Sequence, residues 1–354
     1  MICLEIMVSG TNMTSKGEYA SMREVTFDEY LKYISENEMI KVEDQEIMLE
    51  PINVKRLAPV NDELTDVSTT VWSFPDRGSW ATHKGDYRGN WAPQIPRALM
   101  LMYTKPRDLI LDQMVGSGTT LIEAKLLGRN AIGIDINYNA VILTLHRLYH
   151  LEKALKEVNR RRASITEYFN SVLTAKTIAG VKLEDILKTE IKVYHGDARN
   201  LDKIQDESID LIATHPPYFN IIKYGKRRRI IGDLSKARDL KEYLDWMREI
   251  ALECYRVLKP GKYCAILIGD TRIHKHFVPI SHYVLDIFLD VGFILKEEVI
   301  KIQHKMKATR EIWNKLKHKD FLLIYHEKLF IFRKPNEGED TSRVKYSTVK
   351  WKTS

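Results

Sequence analysis

Two short stretches concentrate the residue types from which a reaction could be built. In "DLIATHPPYFN", residues 210–220, an apolar run ends in His215, Pro216, Pro217 and Tyr218. Two prolines restrict the backbone of that turn, so an imidazole and a phenol ring are held with little freedom, an arrangement suited to gripping a planar group. In "LILDQMVGSGTT", residues 109–120, Asp112 precedes Gly116, Ser117, Gly118, Thr119 and Thr120. Glycines at such a junction let backbone N–H groups and the start of a helix approach a ligand closely. The third glycine of the dinucleotide fingerprint and the Gly-Lys-Ser/Thr of a phosphate loop are both missing, which argues against a pyrophosphate or triphosphate ligand. Alone, the Gly-x-Gly pair could equally be a bare turn.

Two further strand ends narrow the choice. "AIGIDIN" closes on Asp135, where a carboxylate can accept hydrogen bonds from ribose hydroxyls, and "VYHGDARNL" puts Asp197 and Ala198 in the equivalent place, suited to the edge of a purine. Either aspartate could instead cap a loop. In series with the glycine turn they point to a nucleoside ligand.

The elements that must position these residues follow from periodicity. "DLILD", "AIGID", "IKVYH", "IDLIAT" and "YCAILIG" read as buried strands, with helices expected near 119–127, 137–173, 239–257 and 276–290. Such alternation predicts an α/β fold with a doubly wound, mostly parallel sheet. "GFILKEEVIKI" and "FLLIYHEKLFIFRK" have no clear long helix between them, which predicts an antiparallel pair at the sheet edge. Residues 1–70 read as an N-terminal extension: Thr26 and Glu29 form a capping-box start for a helix through about Asn37, and "MIKVEDQEIMLE" alternates like a strand. Residues 71–335 read as the catalytic domain and 336–354 as a polar, mobile tail.

Taken together, "DQMVGSGTT", Asp135, "GDA" at 196–198, "HPPY" and the later strands "VLKPGKYCAILIGD" and "HEKLFIFRKP" resemble the S-adenosylmethionine-dependent amino-methyltransferases of nucleic acids. The resemblance covers residues 90–335. It implies a Rossmann-like methyltransferase fold and S-adenosylmethionine as cofactor, held by Asp112, Gly116, Ser117, Gly118, Thr119, Thr120, Asp135, Asp197 and Ala198. It implies a catalytic loop of His215, Pro216, Pro217 and Tyr218, in which the Tyr218 ring stacks on a base rotated out of its helix, while a backbone carbonyl and residue 215 accept from the amino group. DNA is the implied partner, with RNA left open and a companion restriction endonuclease compatible with the family.

His215 departs from the family's pattern, where an acid is the commoner choice for adenine N6 and a neutral hydroxyl for cytosine N4. A histidine accepts a hydrogen bond only when neutral, which leans the expectation to cytosine N4. The alternative is a structural His215 in a relative that binds nucleic acid without catalysis.

Substrate grip is expected from two basic segments. Residues 223–238 carry seven Lys or Arg against one Asp, including Lys226, Arg227, Arg228 and Arg229; residues 301–319 carry seven against one Glu, including Lys305, Lys307 and Arg310. Such contacts to phosphate are independent of sequence. "WSFPDRGSWATHKGDYRGNW", residues 72–91, holds three of the six tryptophans among cations and glycines, and reads either as a base-stacking surface or as a plug onto the core. The overall charge of +7 permits a polyanionic partner. Three cysteines without paired spacing predict neither a zinc site nor a disulfide framework, and His83 and His195 lack companions at ligand spacing, so no metal is expected. Lacking a basic leader or a long apolar run, the chain reads as cytoplasmic, with no membrane partner.

Overall fold

A computed structural model describes residues 19–42, 45–60, 67–164, 177–178, 180–219, 233–304, 307–315 and 318–349. The apolar runs form one large sheet of nine strands: β1 (Arg23–Glu24), β2 (Val71–Ser73), β3 (Leu109–Asp112), β4 (Asn130–Asp135), β5 (Ile191–His195), β6 (Ile209–Thr214), β7 (Leu258–Ile268), β8 (Ile294–Ile302) and β9 (His326–Arg333). Their order across the sheet is β1-β5-β4-β3-β6-β7-β9-β8-β2. The run from β5 to β7 is parallel throughout.

A parallel sheet is covered on both faces, so its strands carry apolar side chains on both. In β6, where every residue is buried, Leu211 and Ala213 join the hydrophobic cluster of one face and Ile212 joins that of the other. The first cluster is completed by α2 (Gln94–Tyr103), α3 (Thr119–Leu126) and α4 (Tyr138–Ser164), through residues such as Leu99, Ile122 and Leu145. The second is completed by α6 (Leu240–Val257) and α7 (Ile280–Val291), through Met247, Ile250 and Phe288; the short α5 (Leu183–Leu187) packs on α4.

The last two strands form the expected antiparallel pair, but not at the edge. β9 inserts between β7 and β8, antiparallel to both, and β2 pairs parallel to the far side of β8. At the opposite edge β1 pairs antiparallel with β5. Two short edge strands leave little unpaired backbone for another chain to join. Thr26 caps α1 (Phe27–Glu36) as expected, accepting from Glu29 N at 3.3 Å. The Glu29 side chain turns away to Arg23 and Tyr138 instead of closing the box. "MIKVEDQEIMLE" is a hairpin of Met39–Val42 and Gln45–Met48, with Ile40 and Ile47 paired and buried.

After Pro335, the described residues 336–349 are docked rather than loose. Arg333 donates to both Glu339 oxygens at 2.7 and 2.5 Å, and the turn Thr341–Ser347 lies against β8 with Thr341 buried. A charged residue at the end of a strand thus ties down what its composition alone would leave free.

The tryptophan-rich loop packs onto the core through its tryptophans, while its end, residues 87–91, lines the cleft described below. Trp72, Trp80 and Trp91 are all buried. Glu123, fully buried on α3, accepts from Trp80 Nε1 at 2.7 Å, from His83 Nε2 at 2.7 Å and from Arg97 Nη1 of α2 at 2.8 Å. One carboxylate therefore fastens the loop and α2 to α3. Glu123→Ala removes this shared acceptor and leaves buried donors behind, so stability should fall by about 3–5 kcal/mol, read as a lower urea midpoint with an unchanged slope.

Candidate active site

The candidate residues converge at the C-terminal ends of β3, β4, β5 and β6, where the strand order reverses and open α/β sheets bind their ligands. Asp112 ends β3. Its Oδ2 accepts from Thr120 Oγ1 at 2.5 Å, and its Oδ1 accepts from Thr214 Oγ1 at 2.8 Å and from Met114 N at 3.2 Å. Burial raises its pKa to about 6, against the pull of these donors. Asp112 and Thr120 thus bind each other, and Thr120 is fully buried; their side chains build the site from behind.

The turn that follows is shaped by two left-handed residues, Gly116 at φ 53° and Gly118 at φ 83°. A Cβ on Gly116 would come within 3.0 Å of the Tyr87 ring, and one on Gly118 within 3.0 Å of Thr144. Helix α4 grips the turn from below: Thr144 Oγ1 donates to the Gly116 carbonyl at 2.9 Å, and the buried Arg147 donates to the Ser117 carbonyl at 3.1 Å. Asn90 reaches Ser117 Oγ at 3.3 Å from the loop above. Thr119 Oγ1 is buried without a partner at the edge of the cleft.

Asp135 ends β4 and accepts from Gly116 N at 2.9 Å and Asn137 N at 2.8 Å. Burial raises its pKa to about 7, the two backbone donors opposing. Each carboxylate oxygen keeps a further lone pair for a ligand. Asp197 is committed differently from the sequence expectation. Arg199 donates to it twice, at 3.0 and 2.6 Å, and the guanidinium is itself sandwiched between Tyr19 and Trp246 at 4.2 and 4.5 Å. The Asp197 side chain is therefore held by the protein, although Asp197, Ala198 and Arg199 all line the cleft.

The same cleft is lined by His215, Pro216, Pro217 and Tyr218. The His215 ring stacks against Trp91 with centroids 5.9 Å apart and planes inclined by 22°, and Tyr218 lies so close over Gly269 that a Cβ there would meet its ring at 2.7 Å. His215 Nε2 lies 2.7 Å from the Tyr218 hydroxyl, which donates in turn to Glu327 Oε1; Glu327 Oε2 accepts from Lys301 Nζ at 2.8 Å. Burial, helped by the Lys301 charge, lowers the His215 pKa to about 4, overcoming Glu327 and the Gly89 backbone, so the ring is neutral near pH 7. Burial and Glu327 push the Tyr218 hydroxyl well above its ordinary value. Burial opposes the charge on Glu327, but His215, Lys301 and the donated hydrogen bonds outweigh it and keep its pKa below the ordinary one.

The sequence reading places Lys301 in the basic segment 301–319 and Trp91 in the tryptophan-rich loop rather than beside His215, and gives Glu327 no part in the site. Lys301 interrupts the apolar stretch "VIKI", and Glu327 sits in the polar start of "HEKLFIF", so the sequence around Glu327 carries no signal of its own. Of the basic residues expected to grip nucleic acid, Lys226, Arg227, Arg228, Arg229 and Lys305 lie outside the described residues. Lys307 opens α8 (Lys307–Asn314), and the exposed Arg310 sits 5.6 Å over the Tyr325 ring. Among the described residues no cluster of side chains suits a metal ion: His83 is bound to Glu123, and His195 Nε2 lies 3.1 Å from the Ile136 carbonyl. Cys254 and Cys264 are buried and unlinked, and no described helix is long and apolar enough to cross a membrane.

Comparison with known proteins agrees with this geometry. A DNA methylase family model matches residues 12–144 and 209–354, and a methyltransferase-domain model matches residues 86–234. The type II methyltransferase M.BglII of Bacillus subtilis is 33% identical over 126 residues, covering 34% of this chain and 31% of its own. A tRNA (guanine(10)-N2)-dimethyltransferase of Methanothermobacter thermautotrophicus is 30% identical over 133 residues, covering 37% of this chain and 29% of its own. A solved S-adenosylmethionine-dependent methyltransferase from Methanosarcina mazei superposes at a TM-score of 0.38 with 19% identity, covering 67% of this chain and 97% of that one. The chain spans about a third of the length of the curated relatives it matches. The match of the family model to well over half of the chain, on a sheet with the strand ends described above, shows that the chain belongs to the DNA methylase family of S-adenosylmethionine-dependent amino-methyltransferases.

Proposed function

We propose that the chain transfers the methyl group of S-adenosylmethionine to an exocyclic amino nitrogen of a base rotated out of DNA, cytosine N4 ahead of adenine N6. The observation that carries this reading is the single cleft in which the glycine turn and Asp135 face the His215–Tyr218 loop. The left-handed glycine turn, the unpartnered Thr119 hydroxyl and the spare lone pairs of Asp135 fit the cofactor, which supplies an electrophilic methyl carbon. Asp135 would take the ribose hydroxyls. With the Asp197 carboxylate held by Arg199, the adenine edge falls to the backbone at Asp197 and Ala198.

The amino nitrogen of a base is a weak nucleophile because its lone pair is conjugated into the ring. Acceptors aimed at its hydrogens favour a pyramidal nitrogen and release that pair. The rigid Pro216–Pro217 turn supplies a carbonyl for one hydrogen, and neutral His215 supplies a nitrogen for the other. With S-adenosylmethionine bound in the cleft, its methyl group would pass to the amino nitrogen with S-adenosylhomocysteine as leaving group, and the nitrogen would lose its extra proton to solvent water. A neutral acceptor, in place of the carboxylate commoner for adenine N6, is what favours cytosine N4. The basic segments around 223–238 and 301–319, apart from the mostly buried Lys301, would hold the phosphates, and a companion restriction endonuclease is the partner this activity would have.

RNA is the second reading, favoured by the relative named for guanine N2 of tRNA, another exocyclic amine. Mass spectrometry of nucleosides from DNA and RNA incubated with the chain and methyl-labelled S-adenosylmethionine separates the readings. N4-methylcytosine in DNA is expected, and label confined to RNA overturns the first reading.

Two measurements probe the site residues. Hydroxyl donors favour the ionised form of Asp135, so binding should release a proton near neutrality. Affinity for S-adenosylhomocysteine should rise from pH 6 to pH 8, and Asp135→Ala should flatten that rise and weaken binding by about 1.5–3 kcal/mol; calorimetry in buffers of different ionisation enthalpy reads both. For His215, the lowered pKa means the lone pair is lost only as pH falls through about 4. Single-turnover transfer should therefore show no inflection from this ring between pH 5 and 8, and an inflection near the ordinary histidine value of roughly 6.5 would mean that the ring is not buried as described.

A further inference from the structure

The sequence reading assigns Tyr218 a role through its ring alone. Its hydroxyl, however, is the middle link of a chain that starts on two distant strands. Lys301 of β8 and Glu327 of β9 stand directly opposite each other in the antiparallel ladder. Both side chains are mostly buried, with 17% and 7% of their surface exposed, and they are joined at 2.8 Å. Glu327 reaches on to the Tyr218 hydroxyl, and that oxygen lies 2.7 Å from His215 Nε2.

Each link has a definite direction. A carboxylate can only accept, so the single hydroxyl proton of Tyr218 points to Glu327. The phenol oxygen is then left with lone pairs toward His215, and the contact is satisfied only if Nε2 carries a proton and donates. In a neutral ring the lone pair must then sit on Nδ1. Among the described residues Nδ1 makes no hydrogen bond; it is buried, with the Gly89 backbone beside the ring.

Building on the methyl-transfer reading above, we propose that Glu327, held by Lys301, is a positioning residue that fixes the Nε2–H tautomer of His215 through the Tyr218 hydroxyl, leaving Nδ1 as the acceptor for the substrate amino group. An aspartate or serine at position 215 would need no such device, because its acceptor oxygens have no competing tautomer. A histidine does, since the opposite tautomer presents N–H to the amino group and repels it. The lock makes an otherwise ambiguous side chain into a defined acceptor.

Two variants break the chain at different links. Glu327→Gln lets the amide donate to the phenol oxygen, so the hydroxyl can turn to Nε2 and move the ring proton to Nδ1. Tyr218→Phe removes the link while keeping the aromatic ring and the Lys301–Glu327 pair, and so guards against a Glu327 variant that does not fold. Nitrogen-15 NMR of the full chain labelled at histidine, with His215 assigned by the loss of its signals in His215→Asn, reads the tautomer directly. Nε2–H is expected in the wild type, and Nδ1–H or a mixture in both variants. Single-turnover transfer should fall about 100-fold or more in both, the scale of losing one aligned hydrogen-bond partner at a reacting centre, with the KM for S-adenosylmethionine unchanged.

A wild-type spectrum showing Nδ1–H overturns the proposal. So does Tyr218→Phe or a folded Glu327→Gln that transfers methyl groups at the wild-type rate, and in the first case base stacking by the retained ring survives. Absence of transfer by the wild type itself counts against the functional reading; the spectrum, which needs no substrate, still decides for or against the lock.

Discussion

The site depends on one buried carboxylate. Asp112 sits where the sheet changes direction and draws together the start of α3 through Thr120, the glycine turn through Met114 N, and the end of β6 through Thr214. Thr214 is the residue before His215, so the same group that sets the glycine turn also sets the origin of the proline loop. Two neighbouring strands alone would fix their backbones only to within the play of a ladder. A shared acceptor at their tips makes the two halves of the cleft a single rigid unit. Charge at that depth is costly, and the raised pKa of Asp112 records the cost.

The rest of the cleft repeats this economy of buried acceptors. Glu123 gathers the aromatic loop, Asp197 holds Arg199 between two aromatic rings, and Glu327 organises Tyr218 and His215. Glu123 and Glu327 bind donors from separate elements, and Asp197, among the described residues, takes its donors from Arg199 alone; each charge is compensated by hydrogen bonds as well as by an opposite charge. Asp135 differs: among the described residues its donors are both backbone N–H groups, and it has no ion pair. Its pKa of about 7 follows from that isolation, and marks it as the acidic group of the cleft with most to gain from a ligand's donors.

What could be read from the sequence was whatever is encoded locally. The parallel strands announce themselves as apolar runs, the glycine turn by residues that tolerate positive φ, and the His215–Tyr218 loop by two adjacent prolines. All of these came out at the expected strand ends. What could not be read depends on how distant segments meet. The antiparallel pair that sets position 327 opposite 301 is legible, but its place in the sheet, with β9 inserted between β7 and β8 so that Glu327 reaches Tyr218, is specified by nothing within either strand. Asp197 looked available for a ligand because its partner, two residues away, is one of many arginines, and only the flanking Tyr19 and Trp246 show that this one is committed. The tryptophan loop was ambiguous for a related reason: interleaved aromatics and cations describe a nucleic-acid surface and a plug equally well until Glu123 is seen beneath them.

The pairing of β2 with β8 has a consequence for how the chain comes to be folded. Trp72 stands opposite Lys301 in that pairing, so the strand that carries the outer end of the hydrogen-bonded chain is itself braced by a segment more than 200 positions earlier. Contacts of such separation close late, because a long loop must be ordered before they contribute. During synthesis the segment around Trp72 emerges long before its partner, and the glycine turn and its parallel neighbours can assemble while it waits. The part of the cleft facing the cofactor can therefore mature before the part facing the base, and an unfinished chain would present the first without the second.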